Sequence, residues 1–159
     1  MKWVRVPAML LAFGLVLSPV IVNAQTVASA PLMPVIMELE VRDLINKYVD
    51  RFKAMDHAGF MALFSKDAVE NRMLPYNDIA GSYAQMFSVT SQFIYHLKLD
   101  TVETYTKSAR ASGQYEIIQT LKKSNEMRIY SGKIQWEIVP ENGSLKIIRL
   151  NYGNARWDD

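Results

Sequence analysis

Between Glu38 and Met55 the apolar residues Val41, Leu44, Ile45, Tyr48, Phe52 and Met55 recur at three- and four-residue steps, which predicts one buried stripe of an amphipathic helix. Asp56 is placed to cap a second, short helix carrying Phe60, Leu63 and Phe64. Ala68 to Met73 then reads as a short extended piece, Pro75-Tyr76-Asn77-Asp78 as a turn, and Ser82 to Phe87 as a third helix after Gly81. From Phe93 the period changes to two. Phe93, Tyr95, Leu97 and Leu99 alternate with Ile94, His96, Lys98 and Asp100, and Gly113, Tyr115, Ile117, Gln119 and Leu121 alternate in the same way. After a polar turn at Lys122 to Glu126, residues Tyr130, Ile134, Trp136 and Ile138 share a face around Gly132. Pro140-Glu141-Asn142-Gly143 turns the chain again, and Leu145 to Tyr152 is the last strand. Helices followed by long strands on short turns predict an α+β fold, an antiparallel meander with its helices on one face.

The last strand breaks the alternation. Leu145 and Ile147 define one face, Arg149 and Asn151 continue it, and Ile148, Leu150 and Tyr152 fill the other. Either a bulge switches the faces, or the far side of the sheet is covered as well. In the second case Ile118 and Ile148 belong to a surface that meets a partner, for example a second copy of the chain.

Ahead of the first helix, Lys2 and Arg5 precede an apolar run from Val6 to Val22, and Val22-Asn23-Ala24 offers the small residues of a cleavage site. Residues 1–24 therefore read as a signal peptide cut before Gln25, residues 25–37 (with Pro31 and Pro34) as a linker, and 38–159 as one domain, periplasmic or secreted. The rival is an uncleaved anchor. At ~1.5 Å per residue the apolar run reaches ~26 Å, short of ~30 Å of hydrocarbon, and Pro7 and Pro19 shorten it further. After cleavage no stretch remains for stable membrane insertion. Loss of Lys2 and Arg5 also balances the 18 basic against the 16 acidic residues. A neutral chain lacks the cation surplus that displaces counterions, so nucleic acid is not the expected partner. The chain has no cysteine and only two histidines. Thiol catalysis is excluded, and nothing is spaced as a metal site, so no metal and no cofactor is expected. His96 falls on the polar side of its strand, and His57, after the Asp56 cap, is expected to be exposed.

The order Tyr48-Val49-Asp50, Asp56, Leu63-Phe64-Ser65-Lys66-Asp67-Ala68-Val69, then Gly81, the Trp136 strand and Gly143-Ser144-Leu145-Lys146-Ile147 resembles the nuclear transport factor 2-like (SnoaL-like) superfamily over about Glu38 to Gly153. The resemblance implies a cystatin-like cone, in which a strongly bent sheet wraps a long helix around a pocket open at one end. It leaves function open, because members of this superfamily include isomerases, dehydratases, cyclases, adaptors and secretion-system parts. Against its ketosteroid isomerases, Tyr48 matches a catalytic tyrosine. Aligned without gaps, the aspartate base falls on Arg72, beside Asn71 and Glu70, and the second acid falls on Gln135. Arginine cannot abstract a proton.

Tyr48 is thus either a core tyrosine or a ligand contact at the rim. Glu70 and Arg72 are either a pocket acid with its orienting cation or an exposed ion pair. Tyr115, Trp136 and Arg149 complete the candidate pocket. The expected function is non-catalytic: an exported domain holding a small apolar or amphipathic ligand, or a partner segment, with Arg72 at the mouth of the cone gripping an acidic or carbonyl end. The alternatives are a general acid/base enzyme of the SnoaL-like kind and a structural module of a cell-envelope assembly.

Overall fold

The structure is a computed structural model that describes residues 36–153. The expected signal peptide and most of the expected linker lie outside the described residues. Helix α1 (Glu38–Lys53) opens where Glu40 reaches back and its Oε2 accepts the Met37 N–H at 2.9 Å. Acidic Glu38 and Glu40 in its first turn and basic Arg51 and Lys53 in its last oppose the helix dipole. Its stripe of Val41, Leu44, Ile45, Tyr48 and Phe52 is buried. Asp56 caps α2 (His57–Met61), its Oδ1 accepting the Gly59 N–H at 2.9 Å. His57 is half-buried rather than exposed, because its Nε2 lies 2.8 Å from the Ala80 carbonyl and ties α2 to the next helix.

Strand β1 (Phe64–Glu70) starts four residues earlier than its local sequence predicts and takes Phe64 out of the second helix. The cause is tertiary: Phe64 pairs with Ile147, and the Ile147 N–H donates to the Leu63 carbonyl at 2.9 Å. After β2 (Leu74–Pro75), α3 spans Tyr76–Val89. The expected turn at Pro75 to Asp78 is in fact its beginning, with Pro75 as the N-cap and Asp78 in the first turn. Ile79, Tyr83 and Phe87, one helical turn apart, are its buried face.

Strands β3 (Thr90–Thr104), β4 (Ala109–Leu121), β5 (Met127–Glu141) and β6 (Ser144–Gly153) form the expected antiparallel meander. Asn142 and Gly143, with φ of 50° and 78°, make the two-residue turn between β5 and β6. The six strands lie in the order β2-β1-β6-β5-β4-β3, and β1 runs parallel to β6, a pairing between segments far apart in the chain. The sheet is curved and unclosed, with the helices against its inner face. Among the described residues no helix is long and apolar enough to cross a membrane.

The ambiguity in β6 resolves as a bulge. Glu137 pairs with Arg149 and Ile138 with Ile147, leaving Ile148 as the extra residue. Ile147 and Leu150 are therefore both fully buried, while Arg149 and Asn151 face outward. On the outer face Ile94, Ile118 and Ile129 are register neighbours across three strands. They make an apolar row on that face.

Candidate functional site

Between α1, α3 and the inner face of β3 to β6 lies a cavity of about 230 Å³. Six tyrosines line it: Tyr48 from α1, Tyr83 from α3, and Tyr95, Tyr115, Tyr130 and Tyr152 from the four long strands. Phe52, Met86, Phe93, Ile117 and Ile134 complete the wall. Tyr48 sits at the centre of this aromatic layer, edge-on to Tyr95 and Trp136 with ring centroids 6.3 and 5.7 Å away. Gly132 gives β6 room beside the cavity, since a Cβ there would stand 2.7 Å from the Gly153 carbonyl oxygen.

No Asp, Glu, His, Lys or Arg is among the residues lining this cavity. Burial pushes the phenols of Tyr48 and Tyr83 well above the usual tyrosine range, and raises those of Tyr95, Tyr115 and Tyr152. These five hydroxyls stay protonated at any physiological pH and act as neutral donors or acceptors.

Glu70, the last residue of β1, is buried at 2% exposure and stands behind the wall rather than in it. One oxygen accepts the Tyr152 hydroxyl at 2.5 Å, and the other, Oε2, has no partner. Burial raises its pKa above the ordinary glutamate range, and the hydroxyls of Tyr152 and Tyr83 work against that shift. Asn71, which no sequence pattern marked as structural, clamps the same corner. Its N–H donates to the Leu150 carbonyl at 2.8 Å and its Oδ1 accepts the Tyr152 N–H at 2.9 Å.

The native pKa of Glu70 exceeds its unfolded value, so its contribution to stability is complete below the ordinary glutamate pKa of about 4.3 and is lost as pH rises through the native value. Glu70→Gln keeps an acceptor for Tyr152 and removes the buried charge. We expect it to abolish this part of the pH dependence, so that its stability relative to the parent rises as pH increases. Urea unfolding of both proteins from pH 4 to pH 8 checks this, and a wild-type-minus-mutant difference that does not change with pH would contradict it.

The six sequence candidates divide between two places. Tyr48 and Tyr115 line the cavity, Glu70 supports Tyr152 from behind, and Trp136 is fully buried in the core beside Tyr48. Arg72 and Arg149 are elsewhere. They share a groove of about 690 Å³ with Val69, Arg110, Gln135, Glu137 and Asn151 on the outer face of the sheet. Glu70 and Arg72 do not share a face, because β1 ends at Glu70 and a turn with Asn71 and Arg72 at φ of 48° and 64° carries the arginine outward. Gln135 points outward too. The gap-free correspondence of Arg72 and Gln135 with a base and an acid is therefore out of phase with the sheet faces, and the carboxylate near the phenols is Glu70. Tyr83, Tyr95, Tyr130 and Tyr152 line the cavity without being among the sequence candidates. Tyr95 was legible as inward-facing, whereas the bulge at Ile148 hid the direction of Tyr152.

No family model matches the chain, and no curated protein sequence matches it. Solved structures do. A nuclear transport factor 2-like superfamily protein from Salmonella enterica superposes with a TM-score of 0.65 at 18% identity, over 75% of this chain and 92% of that one. A ketosteroid isomerase-like protein from Erwinia carotovora atroseptica gives 0.61 at 17% identity over 72% and 93%. A scytalone dehydratase-like protein from Novosphingobium aromaticivorans gives 0.62 at 14% over 72% and 80%. The class is thus an α+β cone with a bent, open sheet over its helices. This chain has the nuclear transport factor 2-like (SnoaL-like) fold.

Proposed function

We propose that this protein is an exported, non-catalytic binding domain that holds a small neutral apolar molecule with a hydrogen-bonding end. The observation that carries this reading is the cavity wall itself, apolar and aromatic, with phenols held protonated and no base. A neutral carbonyl or ether oxygen meets hydroxyl donors there, while a carboxylate would lose its hydration with no cation to replace it. Arg72, on the outer face, cannot supply that cation, so of the acidic or carbonyl end expected from sequence the neutral carbonyl is the one this cavity suits. A cavity of ~150 Å³ admits benzene, so about 230 Å³ suits a one- or two-ring molecule. Export rests on the basic start, apolar run and cleavage residues of the N-terminus.

Calorimetric titration with 1-tetralone, a two-ring ketone, and with 1-naphthoate tests the reading. The ketone should bind at least tenfold more tightly, and Tyr48→Phe should weaken it two- to tenfold, the worth of one neutral hydrogen bond. Tighter binding of the carboxylate, or indifference to Tyr48→Phe, would sink it. A second reading, a general acid/base enzyme, is favoured by one observation: Glu70 lies directly behind Tyr152, one phenol away from the cavity. Exchange of the α-protons of 1-tetralone in heavy water separates the two. Exchange above the solvent rate that Glu70→Gln removes would mean catalysis.

A further inference from the structure

The outer groove is built from charged and polar side chains, with Val69 the one apolar residue in its lining. Three guanidinium groups converge on it from β4, β6 and the turn after β1, with the carboxamides of Gln135 and Asn151 between them. We propose that this groove binds a small anion carrying two or more charged oxygen groups, of the pyrophosphate or polycarboxylate kind.

The sheet register sets the spacing. Arg110 and Arg149 are each paired directly with Glu137, one on either side, so their Cα atoms lie two strand spacings apart, ~10 Å. Glu137 holds Arg149 at 2.9 Å and stands between the two cations. A single compact anion centred between them would meet that carboxylate. An elongated one reaches a guanidinium at each end, and the carboxamides can donate to its remaining oxygens. On the other side of Arg110, its register partner on β3 is Glu103. Among the described residues Arg149 is the only one of the three arginines with an ion-pair partner, which leaves the forks of Arg72 and Arg110 free to take oxygens in pairs.

Arg72 supplies the second, independent observation. It follows Asn71 in a turn where both residues have positive φ, 48° and 64°, and the Met73 N–H closes the turn on the Glu70 carbonyl at 3.1 Å. Glycine takes the second of these positions without strain and arginine does not. The backbone therefore gains nothing from arginine there, and the side chain it presents belongs to the groove.

Calorimetry on the full chain at low ionic strength, with pyrophosphate, citrate and orthophosphate as probes, tests the assignment. Pyrophosphate or citrate should bind at least tenfold more tightly than orthophosphate, and whichever is tighter identifies the acid group preferred. Arg72→Gly should weaken that probe tenfold or more, the loss expected for a charged hydrogen bond. The same variant should raise Tm by ~2–4 °C, which shows the fold intact and the backbone relieved. Lys123→Ala, which removes an equal charge from the β4–β5 turn, should leave affinity unchanged. Equal binding of orthophosphate, full affinity in Arg72→Gly, or an equal loss in Lys123→Ala would each overturn the proposal. The last would reduce the arginines to a diffuse positive surface.

Discussion

Trp136→Ala is expected to destabilise the fold by ~3–5 kcal/mol, the range for truncating a buried tryptophan. Trp136 is fully buried on β5, between Ala111 and Leu150 in the register, and packs edge-on against Tyr48 from the central helix. Its removal opens a void where helix, sheet and cavity wall meet, and a void lined by strands and aromatic rings collapses poorly. Two comparisons fix the cause. The indole Nε1 has no hydrogen-bond partner, so Trp136→Phe deletes an unsatisfied donor along with part of the ring and should cost much less than alanine. His96→Ala, at an exposed position of β3, should change stability by less than ~0.5 kcal/mol. Urea unfolding ranks all three. A cost for His96→Ala equal to that of Trp136→Ala would mean that the strand faces are shifted by one residue.

Where local pattern decides, the sequence was readable. The α1 stripe and the alternation of β3 and β4 depend on which residues a single element must bury, and each is strong enough to read alone. Pro75 reads as a turn because proline and a following Asp mark a turn and a helix start equally well, and only the burial of Ile79 and Tyr83 separates the two. Phe64 reads as helical because its strand exists through pairing with β6, which lies some eighty residues later and leaves no local trace. The pocket was half legible for the same reason. Tyr48 and Tyr115 lie on regular elements whose faces can be counted from sequence. Glu70 and Arg72 look like neighbours on one face only if the chain stays extended, and two left-handed residues in succession end that count. Counting the two on one face puts an arginine into the cavity mouth and a carboxylate out of the core, the reverse of where the turn leaves them.

Insertion of one alanine between Arg149 and Leu150 should do more damage than any single truncation. The bulge is a one-residue insertion that lets Ile147 and Leu150 face the same core although they are three apart in the chain. A second extra residue undoes this, since a continuous ladder from Arg149 would turn the alanine and Asn151 inward and Leu150 and Tyr152 outward. Exposing the two apolar side chains costs ~1.5–3 kcal/mol each, and a buried carboxamide without a partner costs ~1–3 more. The total is comparable with the ~5–15 kcal/mol by which a domain of this size is stable at all. Tyr152 would also leave Glu70, whose hydrogen bond it supplies. By contrast, deletion of Ile148 joins Ile147 directly to Arg149, whose partners Ile138 and Glu137 are already adjacent on β5, so every face and pairing is kept. The expected result is an insertion variant without a cooperative unfolding transition beside a deletion variant that still unfolds cooperatively. If the insertion variant folded cooperatively and kept its tyrosine near-ultraviolet signal, β6 could absorb the residue in a second bulge, and the count of residues would not be what assigns its faces.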